Sequence, residues 1–421
     1  MKTDNMVILY NIILFLLTII LSPIIFLALI IQPKFRAGIF EKIGFYTFDK
    51  SNKKSTVFHA VSVGETNAIK DLVIEYRKEH PDEVIIITTT TKTGQEIAKK
   101  IFKDIANKIT YFPFDYFFSV LSFLNTFNPE KIIIAETEIW PCFISLSKIK
   151  GVKVYCINGR ISPHSYKGYK KIRFFLAPIL NKYEKIFMQS NDDANRIIDI
   201  GAKKDITEVM GNLKFDITAN LTEEEKNKYR NELKTYNYRL FIGASTHKGE
   251  DEIVLNVFKA LKEKHEDAKL LLVPRHPQRY SEVSELLNNS GYTWGKRSTN
   301  DNFLDKEIIL LDTMGELAKI FSICHIAFIG GSFSTTGGHN PLEANIWNKP
   351  VISGPCIFNF KDVYKIVCEK NCAVIVNSEE EFKNELISFF ENDEKYIKYC
   401  ENAKSVFDEN RGAIKYVLER V

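Results

Sequence analysis

Val84-Ile85-Ile86-Ile87-Thr88-Thr89-Thr90-Thr91-Lys92-Thr93-Gly94 carries the pattern that decides the fold. The run Val84–Thr90 is β-branched and apolar on both faces, as a parallel strand covered on two sides must be. It passes through hydroxyl-rich residues into Gly94–Phe102, which has helical periodicity. The same alternation extends both ways along the chain. Val57–Val63, Lys131–Ala135, Val152–Ile157 and Lys185–Gln189 read as partner strands of a first half. Leu240–Gly243, Lys269–Val273, Ile308–Leu311, Ile326–Ile329 and Pro350–Ser353 read as strands of a second, with helices over Asp251–Lys264 and Tyr280–Asn289. Strands alternating with helices predict an α/β protein with parallel sheets and crossover helices.

At 421 residues the chain exceeds one compact core, so two domains are expected. The break is placed near Asp216–Leu221, after which Thr222 and Glu225 stand at capping-box spacing. This gives an anchor over 1–35, a first domain over 36–216 and a second over 217–394. Residues 395–421 read as a helix able to pack back on the first domain. The composition, 45% hydrophobic and 26% charged, is that of a folded protein. A net charge of +4 does not call for nucleic acid, and none is expected as a partner. Seven scattered cysteines without a Cys-x-x-Cys pair predict reduced thiols rather than disulfides or a zinc site.

Met6–Ile31 holds 26 residues without a charge, against ~20 needed to cross a bilayer core. Asn11, Thr18, Ser22 and Pro23 interrupt it only mildly. A cleavable signal would have a shorter apolar stretch and a small-residue site after it, whereas Gln32-Pro33-Lys34-Phe35-Arg36 follows. Lys34, Arg36 and Lys42 follow the segment, while Asp4 offsets Lys2, so the large C-terminal part is expected in the cytoplasm. Pro23 leaves open a segment bent within one leaflet.

The chemistry-bearing residues gather at strand ends, where doubly wound sheets bind ligands. After the first strand comes Ser62-Val63-Gly64-Glu65; Glu65 is either a good first-turn residue or a general base. Thr88–Gly94 suits an anion or sugar, or simply a strand and a cap. Glu136 and Glu138, two apart, face the same way if their strand continues. Lys214, in Gly211-Asn212-Leu213-Lys214-Phe215-Asp216, could meet a phosphate or stay solvated. Arg275, in Pro274-Arg275-His276-Pro277, suits bidentate phosphate binding. Thr313-Met314-Gly315-Glu316 has capping-box spacing. Gly330-Gly331-Ser332, then Gly337-Gly338-His339-Asn340-Pro341-Leu342-Glu343, is a loop whose small residues would let a phosphate reach backbone N–H groups. Glu343 is either at a capping position relative to Asn340 or an acceptor for ribose hydroxyls. The loop lacks Gly-x-Gly-x-x-Gly, which argues against a simple dehydrogenase.

These motifs, with Ser245-Thr246-His247 and Glu136-Thr137-Glu138-Ile139-Trp140-Pro141, resemble in kind and order the Kdo transferase family (3-deoxy-D-manno-octulosonic acid transferases), from the anchor to about Phe360. The resemblance implies a GT-B fold, two Rossmann-like domains facing a cleft. It implies inverting transfer of Kdo from CMP-Kdo to the lipid A precursor lipid IVA at the inner membrane, with no cofactor. By motif match Glu65 is the catalytic base, and Glu136 and Lys214 stabilise the transition state. Pro274 and Arg275, Met314, Gly315 and Glu316, and Asn340, Pro341, Leu342 and Glu343 match the CMP-binding segments. Two departures are Gly159, where the family more often has Ala, and Cys142, where Asn is usual. The aromatics Tyr111, Phe112, Phe114, Phe117 and Phe118 could touch lipid, although core packing is the expectation. Another nucleotide-sugar transferase or epimerase, or a non-catalytic tethered protein, are the rival readings.

Overall fold

A computed structural model of the chain describes residues 2–32, 36–48, 54–217, 219–299 and 301–421. Lys34, part of the basic flank, lies outside these. Contacts divide the chain into two units, Met1–Asp216 with Asn410–Val421, and Ile217–Glu409.

Unit 1 is built on a sheet of β1 (Ser55–His59), β2 (Val84–Thr89), β3 (Lys108–Tyr111), β4 (Pro129–Ala135), β5 (Lys153–Gly159), β6 (Lys185–Met188) and β7 (Thr207–Val209), in the order β3-β2-β1-β4-β5-β6-β7. Unit 2 has β8 (Arg239–Thr246), β9 (Ala268–Pro274), β10 (Trp294–Lys296), β11 (Ile308–Leu310), β12 (Ile326–Ile329), β13 (Val351–Ser353) and β14 (Ala373–Ile375), in the order β10-β11-β9-β8-β12-β13-β14. Every pairing is parallel. The interior strands β1, β2 and β9 are buried along their whole length. Helices cover both faces, and two apolar clusters in unit 1 lie on opposite sides of its sheet, around Ile86, Ile132 and Phe143 and around Ile87, Ile133 and Tyr76. The strands that sequence did not reveal are β3, β7, β10 and β14, the four sheet edges. They are short and partly exposed, so the two-sided apolar signal is missing from them.

At the N-terminus, α1 (Lys2–Ile31) is one helix that runs on through Pro23 rather than turning back there. Its apolar residues are largely exposed, Ile20 by 70% and Phe26 by 66%. Its polar residues are not mild interruptions. Asn11 Oδ1 accepts the Phe117 N–H at 3.0 Å, and the Thr18 hydroxyl bonds that of Tyr116. Tyr10 stands beside Asp115 and draws its carboxyl down. Asp115 is buried and accepts the N–H groups of Cys142 at 3.0 Å and Phe143 at 2.7 Å, closing the start of the helix Pro141–Ile149. Burial pushes its carboxyl up to about 7, against the pull of those donors. The aromatic run splits: Tyr111 and Phe112 are core, whereas Phe114, Phe117 and Phe118 are exposed.

The C-terminal stretch is two helices rather than one. Asp393–Asn410 ends before Gly412, whose φ of 90° turns the chain into Ala413–Leu418. Asp216 closes that second helix by accepting the Gly412 N–H at 2.6 Å and the Ile414 N–H. Asp216→Ala is therefore expected to cost about 1–2 kcal/mol, the usual value of such a cap. It should also expose the segment after Asn410 to limited proteolysis; an unchanged digestion pattern would show that the cap does not hold the C-terminus.

Candidate active site

In unit 1 the loops after β1, β4 and β5 leave neighbouring strands. Ser62 caps the helix Val63–Ala68, and Val63 starts that helix rather than ending the strand. Glu65 folds back over the cap: one carboxylate oxygen accepts the Val61 N–H at 2.7 Å, the other the Ser62 hydroxyl at 3.0 Å. It does serve the helix start, but its environment is not that of an ordinary first-turn residue. Burial, and then the charge of Glu136, push its carboxyl up to about 7 despite those hydrogen bonds. A carboxylate poised there can accept a proton from a hydroxyl near neutral pH.

Glu136 does not continue the strand. β4 ends at Ala135, and Glu136 takes a left-handed conformation, φ 60°, with its N–H donated to Ile157 O at 2.8 Å. The period-two alignment expected of Glu136 and Glu138 therefore fails, because no strand runs beneath them. The two remain electrostatically coupled: burial, then Glu136, raises the Glu138 carboxyl. A non-glycine residue at positive φ is strained, and here the strain turns a carboxylate out of the sheet. The Thr137 hydroxyl ties this loop to the next, donating to Arg160 O at 2.8 Å and accepting the Arg160 N–H at 2.9 Å.

Lys214 lies half-buried in the short 3-10 helix Leu213–Phe215. Asn212 Oδ1 accepts its N–H at 3.0 Å, and Asn158 Oδ1, at the end of β5, accepts the Leu213 N–H at 3.1 Å. The threonine run is structural: Thr88 and Thr89 are buried in β2, and Thr91 caps the helix Lys92–Phe102 by accepting the Gly94 N–H at 3.1 Å.

In unit 2 the quoted motifs leave the adjacent strands β11, β9, β8 and β12. Pro274 is the buried last residue of β9 and Arg275 the exposed residue after it, its N–H donated to Thr246 O at 3.0 Å. His247 and His339 share a ring nitrogen–ring nitrogen hydrogen bond of 3.0 Å, with the His276 ring 5.3 Å from His247. Burial, then Arg275, lowers His339 to about 4. Glu343 shows much surface to solvent, yet the protein crowding its carboxyl raises it, and only Arg275 opposes this. Arg275, Glu343 and the histidines are thus brought together.

Three expectations are corrected here. The N–H groups of the first part of the Gly-rich loop, Gly330 to Phe333, are already taken. Glu250, buried at 1% exposure, accepts those of Gly331, Ser332 and Phe333 at 2.7, 2.8 and 2.8 Å, and that of His247 at 2.8 Å. A Cβ on Gly330 would stand 2.6 Å from the Ser245 carbonyl oxygen and 2.9 Å from the same carboxylate, so the small residue there admits the neighbouring loop and Glu250. Asn340 Oδ1 accepts the Leu342 N–H at 3.1 Å, and the one-turn helix Leu342–Asn345 begins at Pro341 without a side-chain cap, so Glu343 is not part of a box. Likewise Thr313 does not cap a helix. Its hydroxyl bonds the Glu316 carboxylate, which Arg297 holds with contacts of 3.0 and 3.3 Å, while Met314 is exposed at 72%. Burial alone would raise Glu316, but the Arg297 and Thr313 bonds outweigh it and hold it low.

The model of the family described as 3-deoxy-D-manno-octulosonic-acid transferase (kdotransferase) matches residues 37–217, and that of glycosyl transferases group 1 matches 222–406. The 3-deoxy-D-manno-octulosonic acid transferase of Haemophilus influenzae is 34% identical over 92% of this chain and 91% of its own. The chain belongs to the Kdo transferase family. A Rickettsia bellii protein of the same name is 30% identical over 98% of both chains. The solved UDP-GlcNAc 2-epimerase from Neisseria meningitidis is 14% identical, covers 87% of this chain and 98% of its own, and has a TM-score of 0.53. That likeness is one of fold, and with the glycosyltransferase match it marks the GT-B architecture of two Rossmann-like domains.

Neither Glu250 nor Asp115 was singled out from sequence. Glu250 stands three residues after His247 in the first turn of its helix, a signal available in principle. The N–H partners of Asp115 lie 27 and 28 residues away and leave no local trace.

Glu250→Ala should lower stability by about 3 kcal/mol or more, since charge-assisted bonds contribute ~1.5–3 kcal/mol each and their donors would be left buried. Urea unfolding measures this. Glu136→Gln should move the Glu65 titration to lower pH, because a like charge is removed. Carbon NMR of labelled glutamate carboxyls reads this, and an unmoved or raised value would show that Glu136 does not act on Glu65.

Proposed function

We propose that this protein is an inverting transferase that moves Kdo from CMP-Kdo to lipid IVA, at the cytoplasmic face of the inner membrane. The observation that carries the mechanism is the Glu65 carboxyl, raised to about 7 by burial and Glu136, at the position for which the motif resemblance implies a base. Ionised, Glu65 takes the proton from the acceptor hydroxyl as that oxygen attacks the anomeric carbon. Lys214 and the Glu136 loop stabilise charge in the transition state. On unit 2, Pro274 and Arg275, Met314 to Glu316, and Asn340 to Glu343 hold CMP, with Arg275 meeting its phosphate. Glu316, fixed by Arg297, and Glu343 offer carboxylates to hydroxyls of the nucleotide. Among the described residues no three metal-ligating side chains converge, and no metal is assigned a role. The acceptor is a membrane lipid, which suits a chain whose N-terminal helix is long and apolar enough to enter a bilayer.

Purified protein given CMP-Kdo and lipid IVA should release CMP, and Glu65→Ala should lower the rate at least ~100-fold, the lower range for a lost general base. The rate should rise with pH through about 7, as Glu65 loses its proton, and then level. CMP release by Glu65→Ala equal to the parent would remove the base assignment. Competition by UDP but not CMP would favour a UDP-sugar enzyme instead.

A further inference from the structure

Both flanks of α1 are fastened to the same few turns of unit 1. On the near side, Asn11 bonds the Phe117 N–H and Thr18 bonds Tyr116. On the far side, the Ser119 and Ser122 hydroxyls donate to the carbonyls of Ile43 and Gly44, at 3.0 and 2.6 Å. The Phe114 N–H donates to Lys42 O at 2.7 Å. A bilayer core is ~30 Å thick. Tyr116 and Ser122 are six residues apart, and the helix Phe117–Phe127 advances only about 1.5 Å per residue. Measured along α1 itself, from Tyr10 back to its first residue Lys2 is about 12 Å, and from Thr18 on to its last residue Ile31 about 20 Å. Neither end of α1 can therefore stand on the opposite membrane face while these bonds hold.

Yet α1 is not a water-facing helix. Away from the Asn11 and Thr18 contacts it is apolar, and Ser22, its exposed hydroxyl, bonds back to Ile19 O at 2.8 Å. The exposed apolar surface continues from α1 onto unit 1 through Phe118 at 80%, with Ile149, Phe40 and Phe45 each at 70%. Between helix and unit runs a groove of about 750 Å³, walled by Phe15, Leu16, Ile43, Phe117 and Leu146 and almost without polar surface. Exposed Lys148, paired with Glu184 at 3.9 Å, and exposed Lys150 flank Ile149, one of the groove residues, so positive charge stands beside the apolar surface. A contiguous apolar surface of this size marks contact with a non-aqueous phase.

We infer that α1 does not cross the bilayer. It lies within one leaflet with the adjoining edge of unit 1, and acyl chains of that leaflet fill the groove. The protein is then monotopic. This rests on the membrane part of the proposed function and on neither donor nor acceptor, so its tests read no sugar transfer.

The full chain, carrying one epitope ahead of Met1 and another after Val421, is to be expressed in a Gram-negative host. Protease is then added to spheroplasts and to inside-out vesicles. Both epitopes should be cut only in inside-out vesicles. An N-terminal epitope cut in spheroplasts, with the C-terminal one protected, would overturn the topology. In a second experiment Ile20→Trp and Phe118→Trp, both at exposed positions, are reconstituted separately into phosphatidylethanolamine–phosphatidylglycerol vesicles with brominated acyl chains. The added emission over the parent should fall at least twofold in each. Quenching at position 20 without quenching at 118 would remove the leaflet contact of unit 1. Quenching at neither would remove the membrane reading itself, even in a protein that transfers Kdo.

Discussion

Burial of parallel strands on both faces governs this molecule. Such a strand has no water-facing side, so its length is given to Val, Ile, Leu and Phe, and polar groups are pushed to its ends. Each crossover helix returns the chain to the same edge of the sheet, so the carboxyl ends of all strands share one rim. In unit 1 that rim collects Glu65 and Glu136, with the Lys214 segment fastened to it through Asn158. In unit 2 it collects Arg275, the histidine pair and the Glu316 and Glu343 loops. The chemistry sits where the sheets cannot be apolar.

The rim poses its own problem, because helix starts and tight loops leave backbone N–H groups unpaired. Carboxylates answer it repeatedly, and three cases show the range. Asp115 takes two N–H groups at the start of Pro141–Ile149, Glu250 takes four from two loops, and Glu65 takes one together with a hydroxyl. The balance differs in each. Glu250 is saturated by donors and organises the two loops that supply them. Glu65 has fewer donors and a carboxylate neighbour, so burial and repulsion win and its proton is held near neutrality. A glutamate is scaffold at position 250 and a candidate base at position 65, while Asp115, raised to about 7 as well, closes a helix start.

The polar residues of α1 follow the same logic. Asn11 and Thr18, seven residues apart, fall on one face, and each bonds to a residue at the start of the helix Phe117–Phe127. In an apolar surrounding an unpaired amide or hydroxyl would cost several kcal/mol, so the polar stripe points to the domain. The helix is a built part of unit 1 as well as an apolar surface.

From sequence alone, the interior strands, the crossover helices, the break near Asp216 and the motifs at strand ends were legible. Two-sided apolar runs and helical periodicity are local patterns, and motif order survives without coordinates. The four edge strands were not legible, because an edge is defined by lacking a neighbour and its residues keep one exposed side. Nor was the left-handed turn at Glu136, which cancels the alternation that a continuing strand would give. The glycine loop suggested a phosphate cradle because nothing in its own residues shows that Glu250, some eighty positions earlier, takes the N–H groups of Gly331 to Phe333. Tertiary structure decided these points, since each depends on which distant group reaches an N–H first, and sequence distance does not encode that.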